Sequence, residues 1–350
     1  MKPQVVLVIR LSAMGDVALT LPVIRAAVSV ENEIVVVTRP AFTAFFDNIP
    51  NLSCFPVDTT GKYSGLAGIF KLYRDLKKNY RIKSVIDLHA VIRSFILTLF
   101  FRTASVRVFT IEKGRKQKRA LVKRKIMKQL PHTIVRYSTV FKRAGLAPAE
   151  PVIPAYSLSD DEEKAANKIL SDIKKDSEPE FIGIAPFSKH RTKSWGEEKM
   201  CRLLNLLSSK ANVVFMLFGG REDSEGLNRI SSRIQNTHIV AGSYTLRIEL
   251  ALISKLKFMV SMDSSNMHLA SLAGIKTVSI WGGTHPYAGF HAYGQDPELS
   301  IGISPSAIDC RPCTVYGRGD CIRSDIKFKC LEDISADEVL KVIMRSGLVR

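Results

Sequence analysis

Residues 258–281 read FMVSMDSSNMHLASLAGIKTVSIW, and this stretch decides the fold. Two short apolar runs, Phe258 to Ser261 and Thr277 to Trp281, enclose a segment with helical character. Short apolar strands joined by a helix are typical of a parallel sheet whose two faces are both covered. The stretch therefore predicts a β-α-β unit, with the polar residues from Asp263 onward in the loop that follows its first strand.

The same alternation of apolar runs and amphipathic segments extends in both directions. Further strands are predicted at Val5 to Ile9, Ile34 to Thr38, Val85 to Leu88, Val106 to Thr110, Phe181 to Ala185 and Val213 to Phe218. Helices are predicted near Val17 to Ser29, Leu66 to Lys78, Ile92 to Phe101, Thr133 to Ala144 and Asp160 to Lys174. We therefore predict an α/β protein with two Rossmann-like doubly wound domains that face a cleft.

A proline-rich segment separates the two series of strands. Residues 146–159, LAPAEPVIPAYSLS, hold three prolines and little helical periodicity, so we interpret them as a linker. The predicted domains are residues 1–157 and residues 158–350, with the last helix able to pack back on the first domain. A length of 350 residues with 46% hydrophobic residues suits two globular cores.

The chain is strongly basic, with 51 Lys and Arg against 33 Asp and Glu, a net charge of +18 and a pI near 9.7. Residues 113–128, KGRKQKRALVKRKIMK, hold nine basic residues and no acid. Such a field favours a phosphorylated lipid, a membrane surface or nucleic acid. The narrow apolar stripe of this run suits a surface helix or loop near anionic head groups, and a solvated charged helix is the alternative.

No segment is expected to cross a membrane. The apolar run Phe95 to Phe101 is seven residues long and lies between two arginines, whereas a spanning helix needs about 20 residues. Arg10 and Asp16 fall where a secretory signal would need apolar residues, so we expect a cytoplasmic protein.

Two loops are candidates for acid–base and phosphate chemistry, since ligands of open α/β sheets bind beyond the carboxyl ends of the strands. In RLSAMGD (10–16), Asp16 lies near a helix N-terminus, where it can act as a general base or simply cap the helix. In PFSKHRTKSW (186–195), the cations Lys189, His190, Arg191 and Lys193 suit a diphosphate, or form a solvated basic loop. The chain has neither a G-x-G-x-x-G fingerprint nor a P-loop.

Two further loops extend this pattern in the second half. In FGGREDSE (218–225), Glu222 can accept hydrogen bonds from ribose hydroxyls, although a simple turn has the same composition. In MDSSNMH (262–268), Ser264 and Ser265 open a helix whose N–H groups can bind an anion. His268 can add a hydrogen bond to the same phosphate, or be a structural histidine. Together the loops favour a phosphate-bearing ligand.

Four of the six cysteines crowd into one segment with the pattern C-x2-C-x7-C-x8-C, namely Cys310, Cys313, Cys321 and Cys330. This spacing suits a structural zinc site, and reduced free thiols or a redox-sensitive pair are the alternatives. Cys54 and Cys201 are interpreted as core residues.

RLSAMGDVALTLPVIRA (10–26), KSW (193–195) and DSSNMHLASLAGIKTVSIWGGTHP (263–286) resemble the glycosyltransferase family 9 heptosyltransferases. The resemblance spans nearly the whole chain in the right order. It implies the GT-B fold, with the acceptor held by residues 1–157 and the nucleotide-sugar donor by residues 158–350. It also implies an inverting, metal-independent transfer of a sugar, here heptose from ADP-heptose, to the lipopolysaccharide core or a related glycolipid. It also implies work at the inner face of the cytoplasmic membrane as a peripheral protein, with no nucleic acid as partner.

The resemblance also implies roles for individual residues. Asp16 matches the catalytic base, and His89 with Arg93 resembles the acceptor-side strand end. The residues that match the donor site are Ser188, Lys193, Glu222, Asp263, Ser264, Ser265 and His268. Heptosyltransferases commonly have Asp-Thr-Gly where this chain has Asp-Ser-Ser, so the backbone is less approachable at Ser265 than at a glycine.

Two other classes of protein remain as alternatives. A nucleic-acid-binding protein fits the net charge, but the basic run lacks interleaved aromatic residues and any motif that reads a groove. A nicotinamide-dependent oxidoreductase fits the alternation of strands and helices, but the glycine fingerprint that it requires is missing from the chain.

Overall fold

The computed structural model describes residues 4–146, 150–174 and 178–349. The chain divides into two compact units, residues 1–113 with 133–159 and residues 114–132 with 160–350. The boundary between the two units in this part of the chain lies between residues 159 and 160, two positions after the boundary predicted between residues 157 and 158. Residues 114–132 group with the second unit rather than with the first domain, in which the sequence placed them. Part of the predicted linker, residues 147–149, lies outside the described residues.

The first unit is built on one parallel sheet. Its strands are β1 (Gln4–Ile9), β2 (Glu33–Thr38), β3 (Leu52–Pro56), β4 (Arg81–Asp87) and β5 (Arg107–Thr110). They lie in the order β3-β2-β1-β4-β5. The order reverses between β1 and β4, so the loops after these two strands border the crevice where doubly wound sheets bind ligands.

Both faces of this sheet are covered by helices, since successive residues of β1 point to opposite faces and all of Val5 to Ile9 are buried. Val5, Leu7 and Ile9 pack in one cluster with Leu72 and Leu97 of the covering helices, while Val6 and Val8 are buried on the other face. Each such aliphatic side chain contributes about 1.5–3 kcal/mol on full burial. The helices of the first unit are α1 (Met14–Ala18), α2 (Leu21–Ala27), α3 (Gly65–Asn79), α4 (Ile92–Thr103) and α6 (Thr133–Arg143).

The second unit repeats the design with six parallel strands. These are β6 (Glu180–Ala185), β7 (Val213–Leu217), β8 (Thr237–Ile239), β9 (Phe258–Met262), β10 (Lys276–Ile280) and β11 (Ser300–Ile301), in the order β11-β10-β9-β6-β7-β8. The order reverses between β6 and β9. Its helices are α5 (Arg115–Val122), α7 (Asp160–Lys174), α8 (Glu197–Ser208), α9 (Ser224–Arg233), α10 (Leu246–Ser254), α11 (Ser265–Leu272), α12 (Lys329–Glu332) and α13 (Ala336–Arg345).

The last helix packs within the second unit. In α13, Val339 and Ile343 are buried in the core cluster that also holds residues of α8. Its first turn is capped reciprocally, since Ser335 Oγ accepts from the Glu338 N–H at 3.2 Å and Glu338 Oε2 accepts from the Ser335 N–H at 2.8 Å. Burial of one face and a satisfied N-terminus fix this helix against α8.

The strands predicted from sequence are confirmed, and three short ones were missed. β3, β8 and β11 are all edge strands, with partly exposed residues and little alternation. The helix predicted at Val17 to Ser29 is two helices, because Pro22 occupies the start of α2. Within the described parts of the chain, no helix is both long and apolar enough to cross a membrane.

The basic run is packed rather than wholly solvated. In α5, Leu121 is buried and Lys118 is 5% exposed, with its ammonium 3.9 Å from the centre of the Phe290 ring. Arg124 donates to the carbonyls of Ile308 at 3.0 Å and Asp309 at 2.7 Å. These two cations therefore hold the run on the second unit, and other cations around them, such as Lys116 and Lys125, are exposed.

Candidate active site

Asp16 lies in the first turn of α1, directly after the loop that leaves β1. Its Oδ2 is 2.5 Å from Arg10 Nη2, and its side chain is 34% exposed. Arg10 is buried and also donates to the Leu88 carbonyl at 2.6 Å. Because its guanidinium is held in this way, it fixes the orientation of the Asp16 carboxylate. Burial alone would lower the pKa of Arg10, but Tyr137, Asp16 and Asp87 outweigh it and raise that pKa. The Asp16 carboxylate is thus oriented and partly open.

His89 supports the loop that carries Asp16. Its Nδ1 accepts from the Leu11 N–H at 3.3 Å, and its Nε2 lies 3.5 Å from Ser12 Oγ. Burial, helped by the cations Arg10 and Lys113, lowers the pKa of His89 to about 3. The imidazole is therefore neutral at physiological pH and positions the loop between β1 and α1.

Arg93, the other predicted acceptor residue, binds the protein's own backbone. Its Nη1 donates to the Tyr63 carbonyl at 2.7 Å and its Nη2 to the Thr59 carbonyl at 3.3 Å. The guanidinium thereby fixes the loop before α3. Arg93 lies on the first turn of α4, at the carboxyl edge of the sheet, which keeps it near the predicted acceptor site.

The second unit brings loops from three neighbouring strands together at Asp263. Asp263 Oδ2 lies 2.9 Å from Lys193 Nζ and accepts from Thr284 Oγ1 at 2.7 Å. The Asp263 carbonyl accepts from Lys193 Nζ at 3.3 Å and from Ser188 Oγ at 3.2 Å. The lysine and aspartate side chains are 14% and 8% exposed. A cluster of one cation, one carboxylate and two hydroxyl groups thus forms where the order of the second sheet reverses.

The N-terminus of α11 begins beside this cluster. Ser264 is the N-cap residue, but its hydroxyl lies 3.1 Å from Ser261 Oγ instead of capping the helix. Ser265 opens the first turn, and His268 lies in the next turn with 8% of its surface exposed. The first N–H groups of a helix have no partner inside the helix and carry partial positive charge, so this end suits an anion.

The loops were expected to bring their polar side chains together around one ligand, but Glu222 and Arg191 lie apart from the Lys193–Asp263 cluster. Glu222 is exposed on the loop after β7. Its carboxylate lies close over Gly220, since a Cβ added to that glycine would come 2.4 Å from Glu222 Oε2. The hydrogen bond from the Gly220 N–H, at 2.8 Å, goes to Asp223. Arg191 turns toward the C-terminal segment, with its guanidinium 4.4 Å from the centre of the Phe328 ring. Of the predicted cationic loop, Lys193 alone has an ion pair with Asp263 among the described residues.

Sequence reasoning missed Thr284, Thr192 and Gly317 as site residues. Thr192 Oγ1 donates to the Gly317 carbonyl at 2.6 Å. Gly317 has φ +82°, and a Cβ there would meet Lys193 Cε at 2.6 Å, so a glycine lets the cysteine segment lie against the lysine stem. The sequence does show two glycines between Cys313 and Cys321, Gly317 and Gly319. Nothing in the spacing of these residues predicts that this segment packs against Lys193.

The four clustered cysteines line one cavity of about 10 Å³. All are free thiols in the structure, and burial raises the pKa of Cys330 to about 11. Cys321 Sγ accepts from the Phe328 N–H at 3.1 Å. Among the residues that the structure describes, no three His, Cys, Asp or Glu side chains are arranged to hold a metal ion. The four thiols are therefore separate free thiols around one small cavity.

Arg311 ties this cysteine segment to the end of β10 and the loop that follows it. Its Nε donates to the Gly282 carbonyl at 2.8 Å, and its Nη2 donates to the Trp281 carbonyl at 3.3 Å. Arg311 is 2% exposed, and burial lowers its pKa to about 10. The segment is thus fixed to the loop that presents Thr284.

Two Rossmann-like parallel sheets, each with polar side chains at its switch point, define a protein with the GT-B fold. The model of glycosyltransferase family 9 (heptosyltransferase) matches residues 69–313, and the chain belongs to this family. The resemblance found in the sequence is confirmed. The protein is therefore a glycosyltransferase of the heptosyltransferase family.

Individual relatives agree. The chain is 25% identical to the lipopolysaccharide core heptosyltransferase OpsX of Haemophilus influenzae over 289 residues, 81% of this chain and 80% of that protein. A family 9 glycosyltransferase structure from Veillonella parvula has a TM-score of 0.75 and 17% identity, over 99% of this chain and 98% of the other. The E. coli ADP-heptose lipopolysaccharide heptosyltransferase II has a TM-score of 0.67 and 19% identity over the same shares.

Proposed function

We propose that this protein transfers a heptose, with inversion, from ADP-heptose to the lipopolysaccharide core or a related phosphorylated glycolipid. Membership of the heptosyltransferase family supports the transfer of a sugar. The relative OpsX is a lipopolysaccharide core enzyme, and the E. coli structure is of an ADP-heptose enzyme. The observation that carries the proposal is the Lys193–Asp263 cluster beside the N-terminus of α11.

On the donor side, Lys193 and the first N–H groups of α11 bind the diphosphate. Lys193 offers a nearly buried ammonium, so its attraction to phosphate oxygens is screened less than at an exposed position. Ser188 and Ser264 supply hydroxyls, and His268 adds a hydrogen bond from the second turn. Glu222, exposed on its loop, reaches the ribose hydroxyls when the nucleotide is bound.

On the acceptor side, Asp16 is the general base. It takes the proton of the acceptor hydroxyl as that oxygen forms a bond to the anomeric carbon. The bond from that carbon to the diphosphate oxygen breaks on the opposite face, and its electron pair leaves with the nucleoside diphosphate. Arg10 holds the carboxylate in place, and His89 holds the loop.

Transfer itself needs no metal in this proposal, because Lys193 and the α11 N-terminus offset the charge that develops on the leaving group. The four clustered cysteines have a separate, structural role. We propose that they hold one zinc ion, which requires the thiols to move inward from their separate hydrogen bonds and to lose their protons.

The acceptor is anionic and lies at the inner face of the cytoplasmic membrane. The net charge of +18 and the exposed cations of residues 113–128 support a phosphorylated lipid as partner. Nucleic acid is excluded from the proposal, since the cations lack interleaved aromatic residues for stacking on bases. Binding of RNA with affinity comparable to that for glycolipid would contradict this assignment.

A thermal-shift screen with ADP, UDP, GDP and NAD tests the proposal without the acceptor. ADP should raise the melting temperature most, because a ligand that binds only the folded state stabilises it by mass action. Heptosyl transfer to a lipopolysaccharide core acceptor, followed by the anomeric configuration of the product, tests the reaction itself. A shift with NAD alone would favour an oxidoreductase and overturn the proposal.

A further inference from the structure

Two neighbouring helices of the first unit expose large apolar side chains. On α4 these are Ile92, 81% exposed, Phe95, 57%, and Leu99, 46%. On α3 they are Leu66, 69% exposed, and Phe70, 46%. We name these five residues the α3–α4 surface. The apolar run that sequence analysis found too short to span a membrane, residues 95–101, contributes to it.

Helix α4 is apolar on two sides. Leu97 and Phe101 are buried against the sheet, in the same cluster as Leu7. Ile92, Phe95 and Leu99 have the spacing i, i+3, i+7 and lie on the outer side. A helix at a protein surface normally turns a polar face outward, and one that is apolar all round is normally covered. The outer side of α4 therefore differs from an ordinary solvent-facing helix side, which is polar.

Helices α3 and α4 are joined through aromatic rings, which makes their outer sides one surface. The Phe70 ring centre lies 5.4 Å from that of Phe100, and the Tyr73 ring centre lies 5.5 Å from it. Side by side, Leu66 and Phe70 extend the apolar residues of α4. Clusters of exposed apolar residues mark interaction sites far more often than scattered ones do.

The charges around this surface are almost all positive. The two helices carry six cations, among them the exposed Lys71, Arg74 and Arg102. Their one acid is Asp75, whose Oδ2 is paired with Lys62 at 3.0 Å. A second copy of the chain on this surface would bring cations against cations. A layer with an apolar interior and anionic head groups satisfies both the side chains and the charges.

We propose that the α3–α4 surface docks on a lipid bilayer that contains anionic lipids, with its apolar side chains in the interfacial region. The inference rests on the proposed function and deepens it, because a glycolipid acceptor lies in such a layer. Its position in the first unit agrees: Ile92 follows β4 by five residues, at the sheet edge where Asp16 and His89 lie. Docking there presents the acceptor head group to the proposed base.

Vesicle co-sedimentation, without donor or acceptor, tests this surface. The wild type should bind vesicles of phosphatidylglycerol and phosphatidylethanolamine. The double variant Phe95→Ser/Leu99→Ser should bind about tenfold more weakly or worse, since two apolar side chains no longer leave water. The matched control is Val30→Ser/Val135→Ser, which removes two exposed apolar side chains elsewhere in the same unit and should bind as the wild type does.

A charge variant and two further measurements complete the test. Lys71→Gln/Arg74→Gln/Arg102→Gln should weaken binding to anionic vesicles and leave the weaker binding to phosphatidylcholine unchanged. Equal vesicle binding by wild type and Phe95→Ser/Leu99→Ser would overturn the proposal. So would a dimeric wild type that this variant converts to a monomer, since a second copy would then cover the surface.

Failure of the proposed function is distinguishable from failure of this inference. Lack of ADP binding would remove the glycosyl-transfer proposal and leave the vesicle result intact. Phe95→Ser/Leu99→Ser should transfer sugar to a delipidated acceptor at the wild-type rate and to a vesicle-embedded acceptor more slowly. A slower rate on both acceptors would place the two residues in the site and contradict membrane docking.

Discussion

Lys193 Nζ lies 2.9 Å from Asp263 Oδ2, and both side chains are almost completely buried. The ammonium is therefore held ready by a carboxylate that a diphosphate must share or displace. Thr284 and the carbonyl of Asp263 hold the rest of the cluster, so the lysine can pivot to a phosphate while Asp263 keeps a hydrogen-bond donor. The pair links the loops after β6 and β9 across the switch point of the second sheet.

Lys193→Ala should weaken ADP binding by about ten- to hundredfold, because a hydrogen bond from a charged donor contributes about 1.5–3 kcal/mol. Isothermal titration calorimetry measures the change. The matched control is Lys189→Ala, an exposed cation on the same loop, which should bind ADP nearly as the wild type does. Equal losses in both variants would mean that the loop acts only through its net charge.

Asp16→Asn should reduce turnover by about 10²–10⁴-fold with ADP affinity nearly unchanged, since a general base acts on the acceptor's proton. Steady-state kinetics and calorimetry separate the two effects. The control Asp47→Asn removes an exposed carboxylate of the same unit and should keep full turnover. Full turnover in Asp16→Asn would contradict the role of Asp16 as the general base.

Gly317→Ala should weaken ADP binding, because the new methyl group would press on Lys193 Cε. Alanine at φ +82° also costs about 1–2 kcal/mol of stability. Gly319→Ala is the matched control, since φ is +91° there and a Cβ meets nothing within 4 Å. Both variants should have a lower melting temperature than the wild type, but only Gly317→Ala should lose ADP affinity.

The stability of the protein should fall on acidification below pH 6.5, in part through His285. Its Nδ1 accepts from the Tyr287 N–H at 3.1 Å, and burial lowers its pKa to about 3. Between pH 6.5 and 3 the unfolded chain binds a proton that the folded chain does not, so His285 costs about 2 kcal/mol at pH 5 relative to pH 7.5. Urea unfolding of His285→Asn at both pH values should show a smaller decrease than in the wild type. An identical decrease would mean that His285 titrates normally.

Protein purified without added zinc should contain about one equivalent, and its removal by a chelator should destabilise the cysteine segment. Elemental analysis with a melting curve measures both. Cys310→Ser should lose the metal, while Cys54→Ser, remote in sequence from the cluster, should keep it. A content well below one equivalent in the wild type would discard zinc and leave four reduced thiols.

Much of the site could be predicted because strand ends are local features. Ser188, Lys193 and Asp263 follow recognisable apolar strands, and parallel strands bring their carboxyl ends to one edge. Thr284 lies within residues 263–286, which carry the resemblance, but the local sequence gives it no role because its hydrogen bond to Asp263 depends on β10 lying next to β9. Arg93 is predicted on the acceptor side, and its guanidinium also donates to the backbone carbonyls of Tyr63 and Thr59, which no sequence motif identifies.

The sequence by itself determined the two series of strands, their helices and the order of the loops, because hydrophobic periodicity is written in neighbouring residues. The tertiary structure alone decided which distant groups meet: Gly317 against Lys193, Lys118 over Phe290, and Arg311 on the Gly282 carbonyl. It also decided that the outer side of α4 stays exposed. Contacts between residues far apart in the chain depend on packing that the whole unit sets at once, and a local pattern carries no record of it.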